Sequence, residues 1–405
     1  MKPIVRAGRM KPVHSDIRGP LFVEAMNRQK QGIDILKLNT GNPATFGFGL
    51  PDSIKNALME HMQDGVGYCD FKGMPQARQA ICDYETSKGI KGITPDDVFI
   101  GNGVSEVVSF ALTPLLNDGD EVLVPSPSYS LWGNSVYLED GKPVFYTCDE
   151  QANWYPDIQD IRSKITDKTK AIVIINPNNP TGVLYPKEIL LEIIQVAREF
   201  GLLIFADEIY DRLVMDGKQH ISLASLTEDV PVITLNGLSK SHCLCGYRCG
   251  WMVISGPREL TEDYRQGIIQ LTSLRLCANT MAQIVIPAAL DDMETPASMV
   301  RPGGRIYEQR EATVRELEKI DGLSFVKNDA AFYVFPKLDV KKFNITNDKQ
   351  FAHDLLDATN ILLVPGSGFD WKDPDHFRIV MLPQADVLSD AIRRMGTFLD
   401  GYKQK

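Results

Sequence analysis

The chain has 405 residues, of which 43% are hydrophobic and 24% are charged. At about 150 residues per domain, this length predicts two or three domains with an ordinary globular core, and it argues against a disordered or fibrous protein. Lys and Arg number 43 against 53 Asp and Glu, which gives a net charge of −10. Because no basic run could neutralise a row of phosphates, we expect no nucleic-acid partner.

Neither end of the chain nor its apolar runs suggest a membrane. Uninterrupted apolar stretches such as residues 171–175 and 202–206 are five residues long, far too short to cross a bilayer as a helix. The opening MKPIVRAGRM is not followed by the apolar segment of a secretory signal. Seven scattered cysteines fit reduced thiols. We therefore expect a cytoplasmic protein without a membrane partner.

The predicted elements fall into three parts. Residues 1–44 carry Pro3, Pro12, Pro20 and an amphipathic stretch over 21–30, which predicts an arm that packs on the rest of the protein. In residues 45–300, short β-branched runs alternate with helical stretches, a pattern typical of a mostly parallel sheet covered by helices. The strands predicted there are residues 98–100, 121–124, 171–175, 202–206, 232–235 and 251–254.

The helix between two of these strands is well marked, because Pro186 lies in its first turn and Gly201 ends it. Its predicted apolar face consists of Ile189, Ile193, Val196, Ala197 and Phe200. Residues 301–405 begin with a charged helical stretch, followed by predicted strands at 323–326, 332–335, 361–364 and 377–380. We interpret the fold as α/β, with a large domain at 45–300 and a smaller α+β domain at 301–405.

Three consecutive predicted strands end at reactive side chains. The strand ending at residue 175 leads into NPNNPTG, which contains Asn179; the next leads into Asp207 and Tyr210; the third leads into NGLSK, which ends at Lys240. Ligands bind outside the carboxyl ends of parallel strands. We therefore expect these four side chains to converge on one crevice.

This combination suits pyridoxal 5'-phosphate. The cofactor needs a lysine to hold it as a Schiff base, for which Lys240 is the candidate, and a carboxylate such as Asp207 to keep its ring nitrogen protonated. Asn179 and Tyr210 could bind its phenolate oxygen.

Its phosphate needs a cation and free backbone amides. Arg248 offers the first, and Gly103, Val104 and Ser105, between a strand and the next helix, offer the second.

With these residues in this order, the sequence resembles a class I aminotransferase of the fold-type I pyridoxal phosphate enzymes. The resemblance is carried by NPNNPTG, ADEIY, LSKSHCLCGYRCGW and HFRIV, in that order along nearly the whole chain. It implies the same roles for Lys240, Asp207, Asn179, Tyr210 and Arg248.

The resemblance also implies roles outside these motifs. Tyr129 would stack on the cofactor ring, and Tyr68 would reach the phosphate of a neighbouring subunit, so that a homodimer has its active sites near the interface. Arg378 would bind the substrate's α-carboxylate, with Asn179 and the backbone at Gly41 at the same end.

One position departs from the family pattern. Many class I enzymes carry a serine three residues before the lysine, where this chain has Gly237. Ser239 is left as the nearest hydroxyl for the phosphate.

Within the class, the sequence is similar to bacterial glutamate-pyruvate (alanine) aminotransferases through SDIRGP, LKLNTGNPATFGF, SLRLCANT and RPGGRIYEQR. This implies reversible ping-pong transfer between L-alanine and 2-oxoglutarate, giving pyruvate and L-glutamate. Since glutamate has a second carboxylate, Arg18 in the arm is our candidate for its partner.

Other functions were weighed against this one. The same residues would serve an aminotransferase with another amino acid preference, a β-lyase or a decarboxylase. A nicotinamide-dependent oxidoreductase would have no use for Lys240, and the GNG at 101–103 lacks the third glycine of a dinucleotide fingerprint. A regulator would need an added DNA-binding module, for which the arm leaves no room.

No metal or histidine chemistry is expected. The HCLCGYRC segment at 242–249 lacks the two-residue cysteine spacing of zinc sites, so we expect no bound metal. The remaining histidines show no ligand or triad spacing and receive no role: His14, His61, His220, His353 and His376.

Overall fold

A computed structural model describes residues 2–405. Its fifteen strands are, in chain order, β1 Leu36–Lys37, β2 Val98–Asn102, β3 Glu121–Ser126, β4 Lys142–Asp149, β5 Tyr155–Pro156, β6 Thr169–Ile175, β7 Leu203–Asp207, β8 Val232–Gly237, β9 Cys249–Ser255, β10 Leu323–Ser324, β11 Tyr333–Val334, β12 Lys337–Leu338, β13 Ile361–Leu362, β14 Val364–Pro365 and β15 Phe377–Val380.

The same residues form sixteen α-helices. They are α1 Pro20–Lys30, α2 Asp52–His61, α3 Pro75–Ser87, α4 Val104–Leu112, α5 Leu131–Leu138, α6 Ile158–Lys164, α7 Lys187–Phe200, α8 Leu238–Ser241, α9 Arg258–Arg275, α10 Thr280–Ile284, α11 Ile286–Asp291, α12 Glu294–Val300, α13 Arg305–Leu317, α14 Val340–Phe343, α15 Asp348–Thr359 and α16 Ala385–Leu399.

An eight-stranded sheet in the order β2-β9-β8-β7-β6-β3-β4-β5 forms the centre of the fold. Strands β4, β3, β6, β7 and β8 run parallel, and β9 is antiparallel to both of its neighbours. Every residue of β3, β8 and β9 is buried, as expected where helices cover both faces. The α/β architecture predicted from the sequence is confirmed.

The strands predicted in residues 45–300 all exist, and five of the six extend further toward their carboxyl ends. For example, β8 continues to Gly237 and β3 to Ser126, because backbone pairing goes on after the apolar run stops. In residues 301–405, only two residues each of 323–326 and 332–335 form strands, 361–364 is divided between β13 and β14, and 377–380 is confirmed as β15. Strand β4 was missed. It has a short apolar run at 144–146, but only three of its eight residues are buried.

Helix α7 forms the predicted crossover between β6 and β7, and Gly201 ends it at φ 67. One residue of its predicted apolar face is wrong: Phe200 is 42% exposed, with the Arg162 guanidinium over its ring. Leu190 and Ile194 are buried instead, because the face toward the sheet follows the 190, 193, 194, 197 spacing of a helix.

Residues 301–405 contain a three-stranded antiparallel sheet in the order β11-β15-β14. Helices α13 and α16 pack on each other beside it. The segment before the large sheet joins this part of the fold, since β1 pairs in parallel with β13. The first 44 residues therefore contact the C-terminal region.

In residues 2–405 no single helix is long and apolar enough to cross a membrane. Helix α9 and the segment Thr280–Asp291 pass the test of length and composition as a pair, but they are bent by 119°.

Candidate active site

The carboxyl ends of β6, β7 and β8 lie side by side, as the sequence predicts. Asp207 pairs with Ile175 on one side and with Leu235 on the other. The turn after β6 carries Asn179, and the short helix α8 after β8 carries Lys240. Parallel pairing thus places these side chains at one edge of the sheet.

Asp207, the last residue of β7, is buried beneath this edge. Its Oδ2 accepts a hydrogen bond from Nε1 of the fully buried Trp132 at 3.0 Å, and the backbone N–H of Ile209 lies 3.4 Å from Oδ1. Burial raises the pKa of Asp207 to about 6, and the Trp132 bond opposes this only in part. Within residues 2–405 its hydrogen-bond donors are both neutral, and a protonated ring nitrogen would supply a cationic partner.

Arg378 in β15 is buried, with only 1% of its surface exposed. Its guanidinium donates to Oδ1 of Asn179 at 2.8 Å and to the carbonyl of Asn39, and its ring contacts are Tyr333 and Phe369, each 4.6 Å away. Nε has no partner within residues 2–405. Burial lowers the pKa of Arg378, so a carboxylate from a ligand would complete the site.

Tyr210, in the turn after β7, contacts Tyr333, whose ring contacts Arg378. Its hydroxyl lies 3.0 Å from that of Tyr333, and both rings are buried. Burial raises the pKa of Tyr210 well above its ordinary value, so the phenol is neutral and able to donate a hydrogen bond.

Lys240 lies on the same crevice. Its Nζ donates to the carbonyl of Gly41 at 3.0 Å and lies 5.9 Å from the Phe332 ring. A Cβ at position 41 would overlap the Tyr333 hydroxyl, so only glycine lets the arm approach the amine this closely.

A cradle for an anion lies at the start of α4. Gly103 precedes the helix with φ +84, and a Cβ there would overlap the guanidinium of Arg248. Val104 and Ser105 supply first-turn amides, which lack partners inside the helix. Arg248 is exposed, and its Nη1 donates to the carbonyl of Cys245 at 2.9 Å. A cation and free amides thus face the same space.

Gly237 has a steric explanation. A Cβ there would lie 2.5 Å from the carbonyl oxygen of Cys249 on the paired strand, which is too close. The hydroxyl of Ser239 makes no hydrogen bond within residues 2–405, and its carbonyl accepts from the Cys245 thiol at 2.9 Å.

Three further predicted residues lie at or beyond the rim. Tyr129 is 37% exposed, Tyr68 is 84% exposed, and Arg18 is exposed at the end of a short turn in the arm. The arm itself reaches the site, since the carbonyl of Gly41 accepts from Lys240 and that of Asn39 accepts from Arg378. Within the arm, the Asn39 side chain donates to the carbonyl of Ile17 at 2.8 Å.

The comparisons with known proteins agree with this geometry. Residues 33–394 match the family model for aminotransferases of class I and II. The chain belongs to this family.

Individual relatives are similar over the full length. The chain is 49% identical to a glutamate-pyruvate aminotransferase AlaA of Haemophilus influenzae, with all of both chains covered. It is 45% identical to an alanine aminotransferase of Mycobacterium tuberculosis, covering 100% of this chain and 94% of the relative. A crystal structure of an aminotransferase from Escherichia coli superposes with a TM-score of 0.98 at 46% identity, with all of both chains covered.

As a member of this family, the chain is a pyridoxal phosphate-dependent enzyme, and the resident side chains fit that cofactor. The pocket offers a primary amine at Lys240, a buried carboxylate without a cation at Asp207, and the cation-and-amide cradle at Gly103 and Arg248. These groups match the aldehyde, the ring nitrogen and the phosphate of the cofactor in turn.

Several residues of this aminotransferase site were missed by sequence reasoning. Trp132 lies three residues after Tyr129, Tyr333 directly follows Phe332, and Asn39 lies two residues before Gly41. Each stands inside or beside a stretch already singled out, but only the folded chain shows which side chain points inward.

Proposed function

We propose that this aminotransferase exchanges an amino group between L-alanine and 2-oxoglutarate, giving pyruvate and L-glutamate, in a reversible ping-pong cycle. The observation that carries the proposal is the buried Arg378 guanidinium, whose partners are an amide and a carbonyl oxygen, beside the Lys240 amine. The choice of substrates rests on the full-length relatives named as glutamate-pyruvate and alanine aminotransferases.

Bound pyridoxal phosphate supplies an electron sink for the carbanion formed at the substrate's Cα. Asp207 would keep the ring nitrogen protonated, and the amide of Asn179 and the phenol of Tyr210 would donate to the phenolate oxygen. Lys240 would hold the cofactor through its amine, and the free amine would act as base and then as acid, taking the proton from the substrate's Cα and giving it back in the reprotonation step. Its position beside the Gly41 carbonyl keeps the amine at the mouth of the crevice.

The cofactor's remaining groups are held at the rim. Arg248 and the backbone at Gly103, Val104 and Ser105 bind the phosphate, with Ser239 as the nearby hydroxyl. Tyr129 stacks on the ring.

The substrate's α-carboxylate binds Arg378, with Asn179 and the Gly41 backbone beside it. A bidentate pair would use the guanidinium edge whose Nε lacks a partner. Arg18 serves as the partner of the distal carboxylate of glutamate. This role is supported by the hydrogen bond inside the arm between Asn39 and Ile17, the residue before Arg18, because the Asn39 carbonyl also accepts from Arg378. The exposure of Arg18 leaves it free to turn.

A homodimer follows from the same proposal. Large apolar side chains are exposed on the surface around α2, the following loop and the end of α9: Met59, Met62, Val66, Tyr68, Leu274 and Leu276. Such a patch favours a protein partner, and we take a second copy of this chain as that partner. Tyr68 would then contact the phosphate in the other subunit.

The division into an arm (1–44), a large domain (45–300) and a small domain (301–405) is part of the proposal. It is supported by the central sheet, which uses only residues 98–255, and by the separate sheets formed after residue 323. A cytoplasmic location is proposed as well, and the seven described cysteines, all free, suit a reducing compartment.

The test uses the purified protein with pyridoxal phosphate and a panel of amino donors and 2-oxo acceptors. We expect a visible chromophore in the purified protein. Continued turnover of alanine to pyruvate should need 2-oxoglutarate, because without an acceptor the ping-pong cycle stops after about one pyruvate per site. Lys240→Ala should abolish both. A colourless protein, or one that exchanges no amino group with any pair, contradicts the proposal. Continued release of a 2-oxo acid and ammonia without an acceptor, from a donor with a leaving group on its β-carbon, indicates a β-lyase.

A further inference from the structure

The active-site turn after β7 alternates between two environments. Asp207 and Tyr210 face the crevice, but Glu208 and Asp211, each one residue further on, bind a second buried cluster around Lys88. Lys88 follows the last turn of α3, and its side chain is only 13% exposed. Its Nζ lies 2.7 Å from Glu208 and 3.1 Å from Asp211.

The rest of this cluster fixes the two carboxylates in place. Glu208 accepts from the Ser222 hydroxyl at 2.9 Å and from the Leu223 backbone at 3.0 Å. Asp211 accepts from the Tyr84 hydroxyl at 2.6 Å. Few rotamers satisfy so many bonds at once, so the backbone of the turn is held from behind.

The cluster also reaches the other two strand ends that carry the site. At the carboxyl end of β8, the Asn236 side chain donates to Asp211 at 2.7 Å and accepts from the backbone N–H of Gly237, the residue before α8, which carries Lys240. The residue after β6 is Asn176, whose carbonyl lies 3.1 Å from Nε2 of the buried His220 side chain. The same nitrogen lies 3.9 Å from Glu208. The ends of β6, β7 and β8, which present Asn179, Asp207 and Lys240, therefore each have a contact to this cluster.

Lys88 is the centre of this cluster because of its charge. Oxygens of Glu208 and Asp211 and a nitrogen of His220 lie within 4.8 Å of one another, close enough to hold a metal ion. Here the Lys88 ammonium lies between the carboxylates. It also lies 2.8 Å from the buried Glu85, so three carboxylates share this one ammonium. Removing it would leave buried anions without a counter-charge.

We propose that Lys88 is a positioning residue for the aminotransferase site, which holds Asp207, Tyr210 and the Lys240 turn in register through Glu208, Asp211 and Asn236. The inference rests on the proposed roles of Asp207, Tyr210 and Lys240. Lys88 itself touches neither the crevice nor any proposed ligand group.

The decisive comparison is between Lys88→Met and Arg265→Met. Arg265 forms a buried ion pair with Asp97 at 2.6 Å and donates to the carbonyl of Ile254, which lies at the opposite end of β8 and β9 from Gly237. Both variants lose one buried cation. If Lys88 only stabilises the fold, the two variants should be alike in both stability and activity.

We expect Lys88→Met to lower kcat about tenfold or more, because the reacting groups are displaced, and to move the pH midpoint of the holoenzyme's visible absorption by about half a unit. Arg265→Met should lose a comparable amount of thermal stability but keep the wild-type kcat and absorption midpoint. In the apoprotein, the indole N–H proton resonance of Trp132, identified with Trp132→Phe, should shift only in Lys88→Met, because its acceptor is Asp207.

Tyr84→Phe is the second variant, since it removes one donor to Asp211 with little change in volume. It should change kcat, the absorption midpoint and the Trp132 resonance in the same direction as Lys88→Met, but by smaller amounts. If Lys88→Met does not fold, Tyr84→Phe tests the inference in its place. The inference is wrong if these variants match Arg265→Met in kcat, absorption midpoint and Trp132 resonance. A wild-type protein without chromophore or turnover would instead contradict the proposed function.

Discussion

Replacing Asp207 by asparagine should make the apoprotein more stable while it destroys the enzyme. The carboxylate is buried, and in the free protein its donors are neutral groups, Trp132 Nε1 and the Ile209 amide. The side-chain amide oxygen of the Asp207→Asn variant could still accept from Trp132 without carrying a buried charge. The cofactor's protonated ring nitrogen would lose its counter-ion, so kcat should fall at least about a hundredfold.

The size of the stability effect follows from the pKa. Burial raises the pKa of Asp207 from 3.8 to about 6, which at about 1.4 kcal/mol per pKa unit means that the ionised group costs the folded apoprotein about 3 kcal/mol. The cost is fully present above pH 6. It disappears as the pH falls from 6 toward 3.8, because the folded carboxyl is protonated before the unfolded one.

Urea unfolding of the two apoproteins, at equal concentration, measures this difference. We expect Asp207→Asn to raise the free energy of unfolding by about 1 to 3 kcal/mol at pH 8, and by less than half of that gain at pH 4. An asparagine variant that is less stable than wild type at pH 8, or a gain that does not change with pH, would refute the reasoning.

Three other variants test the substrate end and the arm. Arg378→Lys should raise KM about tenfold or more for alanine and glutamate alike, because a lysine cannot form the bidentate pair; steady-state kinetics would contradict this if only one substrate were affected. Arg18→Ala should raise KM for glutamate and 2-oxoglutarate but not for alanine, and an equal rise for both amino acids would disprove its role. His14, whose pKa is raised to about 9 by Asp16 and Asp370, should stabilise the folded arm below pH 6.5 and lose that effect as the pH rises through 9. Because His14 is partly exposed, His14→Gln should cost about 1 kcal/mol at pH 6 and nothing at pH 10 in urea unfolding, and a loss that is the same at both pH values would contradict the ion pairs.

The sheet and its reactive edge could be predicted from sequence because both depend on local patterns. An apolar run followed by a polar turn marks a buried parallel strand, and parallel pairing then places the ends of β6, β7 and β8 together whatever the details of packing. The positions of Asn179, Asp207 and Lys240 follow from this without knowledge of any distant contact. Strand β4 was missed because its apolar run, 144–146, is short and only three of its eight residues are buried.

The partners of those residues could not be predicted, since they come from distant parts of the chain. Asp207 meets Trp132, 75 positions earlier, and Arg378 meets Asn179, 199 positions earlier. No periodic pattern in the sequence indicates that residues so far apart along the chain will be in contact. A glycine such as Gly41 is a sequence signal only for a close approach, and the identity of the approaching Tyr333 hydroxyl depends on how the arm and β11 pack.

His14 is another residue whose partners could not be predicted from the sequence. Its spacing to other polar residues suggested no role, yet it lies between Asp16 of the arm and Asp370, 356 positions away, while its backbone pairs with the Asn134 side chain on α5. One partner is local and cannot by itself explain a docked arm. Because α5 also carries Trp132, the helix that holds the arm is the helix that supplies the donor to Asp207. A change in how the arm packs on α5 should therefore alter the surroundings of Asp207, at the ring-nitrogen end of the pocket, as well as the substrate end.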